Sequence, residues 1–276
     1  MALSDDTTCY RHPDRLAAVA CQRCERPICP DCMTQASVGF HCPEDAKAGA
    51  QRVVRARDIG GSDRPPITVG LIAISVVAYV LQQSGLVIND RTVTTAGLLF
   101  GPSVAEGEWW RIVTSAFLHG SLIHIGFNMY ILWVFGRPLE EGLGRLRFLL
   151  AYVAGMLGGS AAVLLFNYDA PTLGASGAVL GLAGAMSAVL WVRRGIPITQ
   201  NSLFGLIVIN LALPLLVPRI SFWGHLGGVL AGLAAGWLLT AFDDRGRQPS
   251  NVGVAATAGL CVVLAGLALA APTLVG

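Results

Sequence analysis

The chain has 276 residues; 54% are apolar, 13% are charged, and the formal net charge is +2. The high apolar share excludes an ordinary soluble domain. The nearly balanced charge points to no strongly charged partner, and no nucleic acid is expected as one.

Six of the seven cysteines lie between Cys9 and Cys42, and Cys261 stands alone in an apolar run. The first thirty residues hold no apolar core. No signal peptide is therefore expected, and the N-terminus is expected to stay in the cytoplasm, where disulfides are disfavoured. The clustered cysteines read instead as metal ligands. They run Cys9-x2-His12, Cys21-x2-Cys24, Cys29-x2-Cys32, then His41-Cys42 with Asp45 three positions later. Two-residue gaps suit tetrahedral coordination by thiolate and imidazole. Residues 9–45 have few apolar side chains for a core, so a metal would supply the folding energy. The arrangement resembles a small cross-braced zinc finger of the B-box or double zinc-ribbon kind. That resemblance implies two structural zinc ions. One would take Cys9, His12, Cys29 and Cys32; the other would take Cys21, Cys24 and Cys42 with Asp45 or His41. No open three-ligand site with a general base is visible, so zinc is expected to stabilise or recruit, not to catalyse.

Residues 46–66 read as a basic linker carrying Arg52, Arg55, Arg57 and Arg64 and ending at Pro65-Pro66. Apolar runs follow at 67–86, 112–135, 148–166, 175–192, 202–217, 222–242 and 252–271. A bilayer core of about 30 Å needs about 20 helical residues, so these read as seven spans, the fifth being the shortest. The short connections place Arg137, Arg145, Arg147, Arg193, Arg194, Arg245 and Arg247 on one side and Arg91, Arg111 and Arg219 on the other. The excess of arginine marks the inner side. The expected topology is N-terminus in and C-terminus out, with even-numbered spans running inward. Arg111, beside Trp109 and Trp110, reads as an interfacial anchor, and Glu140 and Arg137 as stabilisers of an inner loop.

Polar residues in spans are costly and mark function. Ser176 lies at the start of span four, inside Gly174-Ala175-Ser176-Gly177. His225 lies at the start of span six, followed by Gly228, Gly232 and Gly236 at helical spacing. Small residues at that spacing allow close helix approach. Span two carries His124 and Asn128, which share a face because they are four apart. All three spans enter from the same side, so the four side chains are expected at similar depth. A serine hydroxyl needs a base to become a nucleophile, and histidine is suited to that task. His124, Asn128 and the Ser176 backbone N–H are candidate oxyanion donors. No carboxylate stands beside His225, so the expected arrangement is a dyad. His119 is left outside it.

With these residues in view, the sequence resembles the rhomboid family of intramembrane serine proteases. The matching motifs are Trp110-Arg111, His119, His124-x3-Asn128, Gly136-x3-Glu140 with Gly144, Gly174-Ala175-Ser176-Gly177, and Gly224-His225-Leu226-Gly227-Gly228. The resemblance implies an all-α polytopic membrane protein. Its six-helix core would span residues 67–242, a seventh helix would cover 252–271, and the small zinc-binding module would precede them. It further implies Ser176 as nucleophile, His225 as base, and His124 with Asn128 at the oxyanion, with no cofactor for catalysis. Substrates would be single-span or polytopic membrane proteins reached through the lipid of a bacterial plasma membrane, and the zinc module would meet a cytosolic protein. One departure is Leu180, where many members carry an aromatic residue that stacks on the histidine. The competing expectation is a catalytically silent scaffold that binds transmembrane helices.

Overall fold

The computed structural model describes residues 6–36, 38–48, 65–218, 220–243 and 250–275. Most of the linker expected at 46–66, with Arg52, Arg55, Arg57 and Arg64, lies outside the described residues, as do Arg219, Arg245 and Arg247. Two compact units divide the chain, Met1–Gly61 and Ser62–Gly276.

The first unit has very little regular structure. Strand β1 (Val19–Ala20) pairs antiparallel with β2 (Pro27–Ile28), and β3 (Thr34–Gln35) pairs antiparallel with β4 (Phe40–His41). Helix α1 (Pro43–Ala48) follows. The buried apolar side chains are Cys9, Cys21, Cys29, Cys32 and Cys42 together with Ile28. With one aliphatic residue among them, the core consists almost wholly of sulfur.

The second unit is helical. After α2 (Pro66–Gln83), a hairpin of β5 (Val87–Ile88) and β6 (Arg91–Thr92) leads into the short helices α3 (Val93–Gly97), α4 (Gly101–Ala105) and α5 (Arg111–Thr114). Then come α6 (Leu122–Leu143), α7 (Arg145–Phe166), α8 (Ser176–Arg194), α9 (Ser202–Ala212), α10 (Phe222–Ala241) and α11 (Asn251–Val275). The helices α2, α7, α8, α10 and α11 are long and apolar enough to cross a membrane.

Two expected spans look different in the structure. The run expected at 112–135 is not one straight helix: Arg111–Phe117 and Leu122–Leu143 meet at 95°. The break has local causes. Leu118 is extended, and the Ser121 hydroxyl accepts from the His124 N–H and so starts a new helix. The crossing helix is consequently α6, which runs eight residues further than expected. The fifth run is the shorter apolar helix Ser202–Leu215.

The helices pair at backbone distance. A side chain on Gly228, Gly232 or Gly236 of α10 would overlap the carbonyl oxygens of Gly177, Gly181 and Ala185 of α8 respectively. On another side of α10, a Cβ on Gly227 would overlap the Gly158 carbonyl of α7. Helix α10 is thus the axis against which α7 and α8 are laid.

One end of the bundle is charged. Arg147 of α7 donates to Leu239 O of α10, to the Asp243 carboxylate and to Ser250 O at 2.7, 3.0 and 2.8 Å. Arg193 of α8 reaches the same carboxylate at 3.0 Å. The start of α7 and the ends of α8 and α10 therefore lie together. At the start of α2, Pro65 offers no side-chain cap. Glu140 of α6 takes that role, accepting from the Ile67 and Thr68 amides at 2.9 and 2.8 Å and from the Thr68 hydroxyl at 2.8 Å. Gly136, one turn earlier, leaves room for Thr68: a Cβ there would lie 2.9 Å from its side chain. Glu140 thus caps a different helix as well as sitting near the expected inner loop.

Candidate active site and metal groups

Ser176 is the first residue of α8, so its N–H lies outside the helix ladder. Gly174 has φ +129°, a setting L side chains rarely adopt, and a Cβ there would lie 2.8 Å from His124 Cε1. Both conditions call for glycine. On the far side of Ser176, a Cβ on Gly177 would be 3.0 Å from the Gly224 carbonyl oxygen. Gly177 follows Ser176 and Gly224 precedes His225, so this glycine contact brings the two side-chain positions next to each other. The Ser221 hydroxyl accepts from the Gly224 N–H at 3.1 Å and fixes the start of α10 immediately before His225.

His225 is 4% exposed, and its Nδ1 lies 2.9 Å from the Asn210 carbonyl oxygen of α9. A carbonyl can only accept, so Nδ1 carries the proton and Nε2 keeps its lone pair. No hydrogen bond links the Ser176 and His225 side chains.

His124 has the opposite polarity. Its Nδ1 accepts from the Gly120 N–H at 3.4 Å, which leaves Nε2 as the donor of the neutral ring. That Nε2 lies against Gly174: the Cβ position there is 2.9 Å from it and 3.8 Å from Ser176 Oγ. Asn128 is buried, and its amide donates to His124 O at 2.9 Å, so one of its two amide protons is engaged and one is free. All four side chains line a cavity of about 850 Å³, with Leu180 and Asn210 beside them. Leu180 is 3% exposed and supplies an apolar wall beside these side chains. The cavity lies among the starts of α6, α8 and α10.

Two residues do something other than the sequence led us to expect. Arg111 is not an interfacial anchor. It is 2% exposed, pairs with Glu108, and donates to Thr95 O and Leu98 O at 2.9 and 2.7 Å. It fastens α3 to α5, and the Glu108 carboxylate, which also pairs with Arg91, balances its charge. His119 is buried and meets the His124 ring edge-on at 5.1 Å between centroids. Asn210 was overlooked, because its contribution to the site is a main-chain carbonyl that no side-chain motif announces.

In the first unit, Cys9, His12, Cys29 and Cys32 form one group and Cys21, Cys24, Cys42 and Asp45 another, with one ligand atom of each residue within 4.8 Å of the others in its group. His41 lies on β4 opposite Thr34 and belongs to neither. The spacings are those of coordination rather than of disulfides. Cys24 and Cys42 sulfurs are 3.8 Å apart. His12 Nδ1 is 3.3 Å from Cys29 Sγ and 3.4 Å from Cys32 Sγ. A tetrahedral ion with metal–sulfur bonds of about 2.3 Å sets sulfurs about 3.8 Å apart, so the residues fit zinc. Backbone amides of Cys42 and Asp45 point at the sulfurs of Cys21 and Cys42 at 3.2 and 3.4 Å.

Comparison with known proteins agrees with the helical unit. Residues 106–242 match the Rhomboid domain family. The chain is 34% identical over 175 residues to the rhomboid protease GluP of Bacillus subtilis (strain 168), covering 62% of this chain and 34% of that one. It is 37% identical over 177 residues to the mitochondrial RHOMBOID-like protein 6 of Arabidopsis thaliana, covering 61% and 57%. It is 31% identical over 186 residues to the rhomboid-family protein YdcA of Bacillus subtilis (strain 168), covering 65% of this chain and 92% of that protein. The chain therefore spans about a third to a little over half of the first two relatives and nearly all of the third. On these matches, the chain belongs to the rhomboid family.

Proposed function

We propose that the protein is an intramembrane serine endopeptidase that cuts other membrane proteins in or near their transmembrane segments. The observation that carries this reading is the glycine contact between Gly177 and Gly224, which sets Ser176 beside His225 at the cavity. The reading draws support from relatives named as rhomboid proteases. The family and the apolar helices make it an integral membrane protein.

In the proposed reaction, Ser176 Oγ attacks the scissile carbonyl carbon while His225 Nε2 takes its proton. The carbonyl oxygen becomes an oxyanion, met by His124 Nε2–H, the free amide proton of Asn128 and the Ser176 N–H. Collapse breaks the C–N bond, and His225 returns the proton to the leaving amine. Water, deprotonated by the same nitrogen, then releases the acyl group and regenerates the serine. A substrate helix hides its carbonyls, so segments weakened by glycine or proline are the expected targets. The cavity end faces outward and the arginine end faces the cytoplasm, following the basic residues at Arg137, Arg145, Arg147, Arg193 and Arg194. The first unit holds two structural zinc ions, with Asp45 completing the second site, and offers a surface for a cytosolic protein.

The test uses purified protein in liposomes with a panel of single-span substrates. Ser176→Ala should fold, fail to cleave, and lose labelling by a fluorophosphonate probe that marks the parent at this serine. Binding of substrate without turnover by the parent would favour the silent scaffold instead.

A further inference from the structure

Helix α9 ends with one main-chain group that its own helix cannot satisfy. In an α-helix each carbonyl accepts from the N–H four residues on. The residue four after Asn210 is Pro214, which has no N–H. Neighbouring amides are engaged elsewhere: the Leu213 N–H bonds to Ile209 O, and the Leu216 and Val217 amides both turn back to Leu213 O. The Asn210 carbonyl is left facing His225 Nδ1 at 2.9 Å. The Asn210 side chain plays no part in that contact, because its amide donates to Leu206 O at 2.9 Å. Among the described residues that line the cavity there is no aspartate or glutamate, so no carboxylate competes for this ring nitrogen.

We propose that Pro214 is a positioning residue and that the Asn210 main-chain carbonyl it leaves free is the third member of the catalytic arrangement, doing for His225 what a carboxylate does in a Ser–His–Asp triad. This rests on the protease reading above. The carbonyl holds the ring in one rotation, keeps the proton on Nδ1, and leaves the Nε2 lone pair for Ser176. Its partial negative charge also faces the imidazolium that forms when the serine proton is taken. A carbonyl carries less charge than a carboxylate, so the arrangement depends on alignment, and alignment is what an unpartnered carbonyl at a broken helix end supplies.

The experiment combines kinetics with a spectroscopic readout that does not depend on turnover. The protein is labelled with ¹⁵N-histidine in lipid nanodiscs, and the His225 resonances are assigned by difference with His225→Ala. The parent should show the neutral His225 ring protonated at Nδ1; a ring protonated at Nε2 overturns the proposal. Pro214→Ala restores an N–H four residues after Asn210. In that variant His225 should lose its single tautomer, and kcat should fall at least about tenfold with KM little changed. Parent kcat together with the parent tautomer in Pro214→Ala overturns the proposal. Should that variant fail to fold, Pro214→Ser, which also restores the N–H, carries the same two readouts. Failure of the protease reading is told apart from this one: there the parent binds substrate without turnover, or Ser176→Ala cleaves as well as the parent, whatever tautomer His225 adopts.

Discussion

At the arginine end of the helical unit, one buried guanidinium is held by a carboxylate and two carbonyls from three segments of chain. At the cavity end, Ser176 and His225 stand side by side without a bond between them, and His119 Nε2 is buried with no partner. The first end is fixed by charge and hydrogen bonding. The second is fixed from behind, by glycine backbones in contact and by the Asn210 carbonyl at His225 Nδ1, so that Ser176 Oγ and His225 Nε2 stay uncommitted. In the proposed reaction Ser176 and His225 exchange a proton, which a permanent bond between them would hinder.

The comparison breaks most sharply if one exchange at each end has the same effect. His225→Ala should cut turnover by about a thousandfold or more while the thermal midpoint barely moves, as read by cleavage assay and melting curve. Arg147→Met should do the reverse. It leaves Asp243, 8% exposed, with Arg193 alone and strips Leu239 O and Ser250 O of a donor. A loss of about 3 kcal/mol is expected, with turnover preserved at a temperature where the variant stays folded. An unchanged melting curve would show that the charged knot contributes nothing.

A finer contrast uses one kind of substitution twice. A methyl group on Gly228 would overlap Gly177 O near the cavity, and one on Gly236 would overlap Ala185 O nearer the arginine end. Both alanine variants should lose about 1–3 kcal/mol of stability through overpacking. Only Gly228→Ala should also lose turnover when assayed below its melting point, because only there does the shift reach Ser176.

Smaller still is an effect of acid. Burial pushes the Asp243 carboxyl up, but the Ser250 amide, Arg193 and Arg147 outweigh it and hold the group below its ordinary range. A depressed folded value means that the contribution is complete above the ordinary carboxylate pKa of about 3.9 and is lost as pH falls through the folded value. Stability should therefore drop below about pH 4, less steeply in Arg147→Met; equal slopes would remove Asp243 from the account. The least effect on cleavage is expected from Cys29→Ser in the first unit. Native mass spectrometry should count two zinc ions in the parent and one in this variant, with turnover unchanged.

Much of this was legible in the sequence, for identifiable reasons. The apolar runs mark the helices because a bilayer demands length and apolarity of each one separately. Ser176, His225, His124 and Asn128 stand out because polar residues are rare in such runs and glycines flank two of them. The cysteine spacing foreshadowed the two groups, and the structure brings Asp45, not His41, to the second. What escaped were features that depend on partners far away in sequence. The bend at His119–Ser121 sits inside an apolar run, where hydropathy is blind to direction. Arg111 beside two tryptophans looks like an anchor until the carbonyls of Thr95 and Leu98 are seen around it. The Asn210 carbonyl has no side-chain signature; only Pro214, four residues on, hints that it is free.

Glu140 has a consequence for how the protein is made. The Thr68 amide it caps was synthesised 72 residues earlier. At about 5–20 residues per second, the ribosome takes about 4–14 s to supply that carboxylate. During this interval the first amides of α2 lack the carboxylate that caps them in the folded protein. Helix α2 can close against α6 at Thr68 only after Gly136 and Glu140 have both been made. The first long helix to be made is among those that must wait before they can settle.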